Sequence, residues 1–177
     1  MKKTHWLLIS FFALATVSNA QTSTNPKITE YFAVYHTIGT YANHCTPSYI
    51  FGSNTYKVYL PFGINVFKNP KVGFSIEIMP CFESINTSDS GKSLSKISEV
   101  IFHPGLVFPL KHGFTLTERI AMSTSGRYGV TQVLSKTLYK DKYNSYYAAI
   151  PLALRFGNEN DGGENLFFWG LTLGTSF

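Results

Sequence analysis

The chain has 177 residues, with Lys+Arg 15 against Asp+Glu 10, and charged side chains make up only 14% of it. That length fits one domain with a sizeable hydrophobic core. Soluble domains carry about 25% charged residues, so charge is scarce here, whereas aromatic residues reach 16%. No long apolar run follows the N-terminus, which disfavours a helical membrane bundle. The composition favours a β-rich protein over a disordered chain or a coiled coil.

The first twenty residues have the layout of a secretory signal peptide. Lys2 and Lys3 precede an apolar stretch from Trp6 to Val17, and Ser18-Asn19-Ala20 supplies the small-x-small pattern that signal peptidase cuts. We therefore predict a signal peptide over 1–20 and one domain over 21–177. Without Lys2 and Lys3 the formal charge falls from +5 to +3. A mildly basic exported chain without a basic stripe is not expected to bind nucleic acid.

Beyond Gln21 the dominant pattern is an alternation of apolar with small or polar residues, which is typical of β-strands. It is clearest at the C-terminus, where Trp169, Leu171, Leu173 and Phe177 share one face. A segment at 92–101 also allows one or two helical turns within a loop. Alternation is weakest over 128–139. The predicted strands are 31–39, 55–67, 72–84, 98–109, 114–124, 128–139, 143–156 and 165–177.

The spacing of these strands predicts their architecture. Eight strands place both termini on one side, where the connections at 68–71, 110–113 and 140–142 are short. The opposite side receives 40–54, 85–97, 125–127 and 157–164, most of them longer, as in transmembrane β-barrels. The predicted fold is an all-β, up-and-down antiparallel transmembrane barrel of eight strands. Aromatic residues near strand ends are predicted to lie at the membrane interfaces, namely Tyr31, Tyr56, Tyr128, Tyr143, Tyr146 and Trp169.

Few charged residues fall within the predicted strands. Glu77, Arg119 and Arg155 lie on the polar faces, so we predict that they point into the barrel and form a structural ion network there. A binding or proton site is the functional alternative for the same three residues. Glu118 falls on the apolar face, which requires a position near an interface or a different strand register.

At this point the chain resembles the small outer-membrane β-barrel proteins of Gram-negative bacteria. The signal peptide and the C-terminal strand ending on Phe177 carry the resemblance, although Thr175 stands where that family often has a second aromatic residue. The resemblance implies a cell outer-membrane location, with outer-membrane lipid and the barrel-insertion machinery as partners. It also implies that Trp169, Leu171, Leu173 and Phe177 form the insertion signal. A barrel this narrow is filled by side chains, so no open pore is expected.

The family also includes enzymes that acylate or deacylate lipopolysaccharide with a Ser–His–carboxylate set. Ser75, Glu77 and His103 are the only such set in the predicted strands, and they lie too deep inside the barrel, so no enzyme activity is expected. The histidines lack metal-ligand spacing, and no nucleotide motif is present, so neither a metal nor a cofactor is expected. Cys45 and Cys81 fall at the same end and are a candidate disulfide pair, with two free thiols as the alternative.

The leading hypothesis is a non-enzymatic outer-membrane barrel with a structural role, or a surface-binding and adhesion role through the loops at 40–54, 85–97 and 157–164. The sequence does not identify a surface ligand. A soluble periplasmic barrel that carries a small apolar ligand, as lipocalins do, is the alternative, and it would turn the apolar faces inward. A lipid-A-modifying barrel enzyme is the third hypothesis.

Overall fold

The structure is a computed structural model that describes residues 26–41, 47–49, 55–86, 93–157 and 165–177. Several predicted features lie outside the described residues. They are the signal peptide at 1–20, Cys45, and large parts of the loops at 40–54, 85–97 and 157–164. Within the described part of the chain, no helix is long and apolar enough to cross a bilayer.

Almost all of the described residues belong to β-strands. A single turn of 3-10 helix at Lys111–Gly113 lies between two of them. The strands are β1 (Lys27–Tyr41), β2 (Pro47–Tyr49), β3 (Thr55–Tyr59), β4 (Phe62–Phe67), β5 (Gly73–Asn86), β6 (Ser93–Pro109), β7 (Phe114–Ser123), β8 (Tyr128–Lys140), β9 (Ser145–Phe156) and β10 (Leu166–Ser176).

The strands form one antiparallel sheet that closes on itself. From β5 to β10 each strand pairs with the next one in the chain, β3 and β4 each pair with β1 and β5, and β10 pairs back onto β1. At the seam, the backbones of Glu30 and Phe177 exchange two hydrogen bonds of 3.0 Å. Among the described strands only the short β2 is paired on one side alone. The rest of the sheet is closed, and a sheet placed in lipid must close in this way because lipid cannot satisfy unpaired backbone groups.

The barrel has eight strand positions although the sheet has ten segments. β3 and β4 together occupy one position between β1 and β5, and they are separated only at Leu60 and Pro61. Proline has no N–H to donate to the sheet, which accounts for the interruption. β2 adds a short hairpin to the end of β1. The predicted all-β, up-and-down, eight-stranded barrel is confirmed.

The two faces of the wall differ sharply, because successive side chains on a strand point to opposite sides. Along β5, Phe74, Ile78 and Phe82 are exposed on the outside, whereas Ser75 and Glu77 are buried inside. Tyr31 is a correction to the sequence analysis: it is 7% exposed and lies inside the barrel, not at an interface. It shares the inward parity of Ala33 and Tyr35 on β1.

The start of β6 is a second correction. Residues 93–97 were predicted to lie in a loop, with helical turns allowed over 92–101, but the strand begins at Ser93. Cys81 pairs with Glu99 and Phe82 pairs with Ile97, so Ser98 is an extra residue in β6. Such a β-bulge shifts the alternation by one position. Ile97 therefore faces outward, and the period-two pattern that would reveal the strand is broken there.

Candidate functional site

The interior of the barrel contains a cluster of buried polar side chains from six strands. Its members are far from solvent: His103 and Ser75 are 0% exposed, and Arg155 is 3% exposed. We name this cluster the lumenal network, and it consists of Tyr31, Ser75, Glu77, His103, Arg119, Thr131 and Arg155.

Glu77 on β5 is the anionic centre of the lumenal network. Its Oε2 accepts a hydrogen bond from the Tyr31 hydroxyl at 2.9 Å and lies 3.4 Å from Nη2 of Arg119. Its Oε1 lies 2.9 Å from Nδ1 of His103. Nη2 of Arg119 also donates to the Tyr31 hydroxyl at 2.8 Å and to Oγ of Ser75 at 3.2 Å. The carboxylate is thus paired on both oxygens, as a buried charge requires.

Arg155 fixes the protonation of His103. Its Nη2 lies 3.1 Å from Nε2 of His103, and a guanidinium can only donate hydrogen bonds. Nε2 is therefore the accepting nitrogen, the ring is neutral, and its proton lies on Nδ1 facing Glu77. Arg155 also donates to Oγ1 of Thr131 at 2.8 Å, to the Val130 carbonyl at 2.9 Å and to the Leu154 carbonyl at 3.0 Å.

The interior of the barrel contains the lumenal network, a second buried cluster and a cavity. With His103 neutral, the network has two positive charges, on Arg119 and Arg155, and one negative charge, on Glu77. Next to the network, a buried cluster packs across the interior, formed by Tyr35, Tyr59, Met79, Cys81, Ile101 and Ala121. The remaining cavity is about 200 Å³, and its lining reaches Thr29, Thr115 and Ser176 near the short turns. The network thus cross-links six strands through the interior, beside this cavity.

The structure brings the three predicted lumenal residues, Glu77, Arg119 and Arg155, together in one network. Glu77 contacts Arg119 and His103 directly, and His103 connects Glu77 to Arg155. Tyr31 and Thr131 also belong to this group, although the sequence did not predict them there. Both residues occupy strand positions whose side chains face the interior. This alternation was the only feature of the sequence from which they could have been predicted.

The predicted catalytic set is only partly assembled. Glu77 pairs with His103, but the Ser75 hydroxyl accepts from Arg119. Thr131, and not Ser75, lies near the other ring nitrogen of His103, at 3.3 Å. A general base needs a free lone pair on that nitrogen, and Arg155 donates to it. Ser75, His103 and Glu77 therefore do not form the hydrogen-bonded Ser–His–carboxylate chain of a hydrolase in this structure.

A second polar group lies at the loop end of the interior, around Glu99 at the bulge of β6. Glu99 accepts from the Ser123 hydroxyl at 2.5 Å, the Ser125 hydroxyl at 3.2 Å and the Tyr59 hydroxyl at 3.3 Å. These bonds tie the β7–β8 turn to β6. Within the described residues, no group of three or more His, Cys, Asp or Glu side chains could hold a metal ion.

The remaining predicted residues are distributed over the wall. Glu118 lies on the outer face and accepts a hydrogen bond from the Gln132 amide on β8. Leu171, Leu173 and Phe177 are exposed on the outside of β10 and at its end. Cys81 is buried inside, whereas its predicted partner Cys45 lies outside the described residues.

Comparison of the chain with family models, with curated proteins and with solved structures found no match.

Proposed function

We propose that the chain is an integral β-barrel of the cell outer membrane, without enzyme activity and without an open pore. Its role is structural, or it binds a surface ligand through the loops at 40–54, 85–97 and 157–164. One observation carries the proposal: exposed apolar side chains occur on the outside of every strand position of the described barrel, while the charged side chains of the lumenal network point inward.

The apolar outer surface is continuous around the circumference. Every strand position contributes exposed apolar side chains, for example Val34, Phe62, Phe74, Phe102, Ile120, Val130, Ile150 and Leu173. Soluble monomers seldom expose a contiguous apolar patch above a few hundred Å². In hydrocarbon the same surface has no such cost, and the closed sheet satisfies its own backbone hydrogen bonds.

The ends of the barrel and its interior fit the same proposal. Tyr143, at 73% exposed, and Tyr146, at 46%, lie outside near the turn that joins β8 to β9, where aromatic rings suit a membrane interface. The lumenal network and the adjacent buried cluster occupy the interior, as in other narrow barrels that conduct no solute. The outward-facing end of β10 suits recognition by the barrel-insertion machinery.

The alternatives require other arrangements. A soluble lipocalin-like carrier needs an apolar cavity, whereas Glu77, Arg119 and Arg155 line the cavity found here. A lipid-A-modifying enzyme needs an accessible nucleophile beside its base, whereas Ser75 is fully buried and bonded to Arg119. Both alternatives are therefore less favoured than the non-enzymatic membrane barrel.

Membrane fractionation, followed by gel electrophoresis with and without boiling in detergent, tests the proposal. We expect the protein in the outer-membrane fraction, with a folded form that changes its mobility on boiling. A barrel that is folded and soluble without detergent contradicts the proposal and favours the carrier. Unchanged lipid A in Ser75→Ala and His103→Ala strains, compared with wild type, is the outcome expected of a non-enzyme.

A further inference from the structure

The end of the barrel that carries the short turns is strongly basic. Seven lysines lie there, and six of them are exposed. They are distributed over the start of β1, the end of β8 and all three short turns, so they surround much of the rim. We name this set the turn-end lysine ring, and it consists of Lys27, Lys68, Lys71, Lys111, Lys136, Lys140 and Lys142.

Little negative charge opposes the ring. Glu30 and Asp141 are the described acidic residues at this end, and none of the seven lysines forms an ion pair with a described carboxylate. Asp141 is moreover engaged by backbone N–H groups of its own turn. The loop end is much less basic, because its described residues place Glu83 and Glu99 against Lys57, Lys96 and Arg127, a net charge of +1. Among the described residues, most of the excess positive charge therefore lies at the turn end.

The turn-end lysine ring lies directly beside aromatic side chains at the edge of the apolar outer surface. Nζ of Lys142 lies 5.1 Å from the centre of the Tyr143 ring, and Nζ of Lys136 lies 4.5 Å from the centre of the Phe114 ring. Lysine side chains at a membrane boundary place their stems along apolar surface and their ammonium groups among the headgroups. The described arginines do not take part in the ring: Arg119, Arg127 and Arg155 are all buried.

We propose that the turn-end lysine ring binds anionic phospholipid headgroups in the leaflet at the turn end of the barrel. The inference rests on the proposed membrane location. The apolar surface fixes the depth of the ring at the headgroup layer, and the charge of the ring selects anionic over zwitterionic headgroups. Each lysine close to an anionic membrane surface strengthens binding about fivefold, which is about 1 kcal/mol.

The test uses the folded protein in a zwitterionic detergent. Short-chain phosphatidylglycerol is titrated in, short-chain phosphatidylcholine with the same acyl chains is the reference, and the readout is the temperature at which the folded gel band is lost. Binding to the folded state raises this temperature. We expect phosphatidylglycerol to raise it at lower concentration than phosphatidylcholine, and added salt to reduce the difference.

Variants assign the effect to the ring. Lys68→Gln and Lys96→Gln each remove one exposed lysine from opposite ends, so they are matched controls. We expect Lys68→Gln to weaken the response to phosphatidylglycerol about fivefold, and Lys96→Gln to leave it unchanged. The combined variant Lys68→Gln, Lys71→Gln, Lys140→Gln and Lys142→Gln should respond equally to the two lipids, with an unchanged unfolding temperature in detergent alone.

Three results overturn the proposal: equal responses of the wild type to the two lipids, an undiminished preference in the combined variant, or the same rise with inorganic phosphate at equal phosphate concentration. The last result would mean that the ring binds small phosphate ions and not headgroups. A chain that folds in water without detergent instead overturns the membrane proposal itself, so the two failures are distinguishable.

Discussion

At the level of single residues, the lumenal network shows how a narrow barrel accommodates charge. Glu77 is bonded through both oxygens, by Tyr31, His103 and Arg119. A buried charge that keeps all its partners is tolerated, whereas removing one member leaves the others desolvated and unpaired. Glu77 is the one carboxylate in the network, so it is the member whose loss should cost most.

We therefore predict that Glu77→Leu lowers the free energy of unfolding by about 3–5 kcal/mol, because Arg119 loses its counter-charge and His103 loses its acceptor. Urea unfolding of the protein in vesicles measures this. Ser75→Ala is the matched control on the same strand and face. It removes one hydrogen bond to Arg119 and should cost about 1 kcal/mol. Equal losses in the two variants would contradict the central role of Glu77.

The residues of the network were only partly predictable from the sequence. Strand parity places Glu77, Arg119 and Arg155 inside, because alternation alone decides which face a side chain occupies. Their partners depend on which residues of neighbouring strands lie at the same height. Thr131, not Ser75, reaches His103, and Tyr31 reaches across from β1 to Glu77. No single sequence contains that cross-strand information.

At the level of strands, prediction from the sequence was wrong where the alternation of apolar and polar residues is irregular. The bulge at Ser98 shifts the alternation of β6 and hides its first residues. The weak alternation of β8 has a different origin, because its two outward polar residues have cross-strand partners. Gln132 donates to Glu118, and Lys136 lies over the Phe114 ring. A residue that breaks the pattern on one strand can thus complete a pair with the next.

The turn between β8 and β9 is stabilised by Asp141. Its Oδ1 accepts from the backbone N–H of Asn144 at 2.6 Å and of Tyr143 at 2.7 Å, and these two bonds lower the pKa of the Asp141 carboxyl below its ordinary value. Because the folded-state pKa is the lower one, the stabilisation is present above the unfolded pKa of about 3.9. It is lost as the pH falls through the folded-state pKa.

Asp141→Asn tests this turn, because the amide oxygen accepts the same hydrogen bonds and does not titrate. We predict that wild type is the more stable protein at neutral pH, and that the difference between the two proteins shrinks below about pH 4. Thermal unfolding followed by gel mobility across this pH range measures the difference. A difference that stays constant with pH would mean that the carboxylate charge does not stabilise the turn.

At the level of the whole molecule, the central question is which medium the outer surface contacts. Glu118 and Gln132 form a polar pair within that surface, and the outward residues around them are apolar, including Ile120, Val130 and Leu134. In lipid, an acidic side chain at such a position is unfavourable even when it is hydrogen-bonded. In water the same pair costs nothing and helps to keep the protein soluble.

Replacing both members of the pair distinguishes the two media. In a membrane barrel, Glu118→Leu with Gln132→Leu should raise the free energy of unfolding from vesicles by about 1–2 kcal/mol, since both new side chains face hydrocarbon. Gln132→Leu alone should raise the free energy of unfolding by less, because Glu118 then lacks its hydrogen-bond donor. In a water-soluble barrel the double variant gains no stability and aggregates through the enlarged apolar patch. A double variant less stable than wild type in vesicles would therefore mean that this face of the wall does not contact lipid.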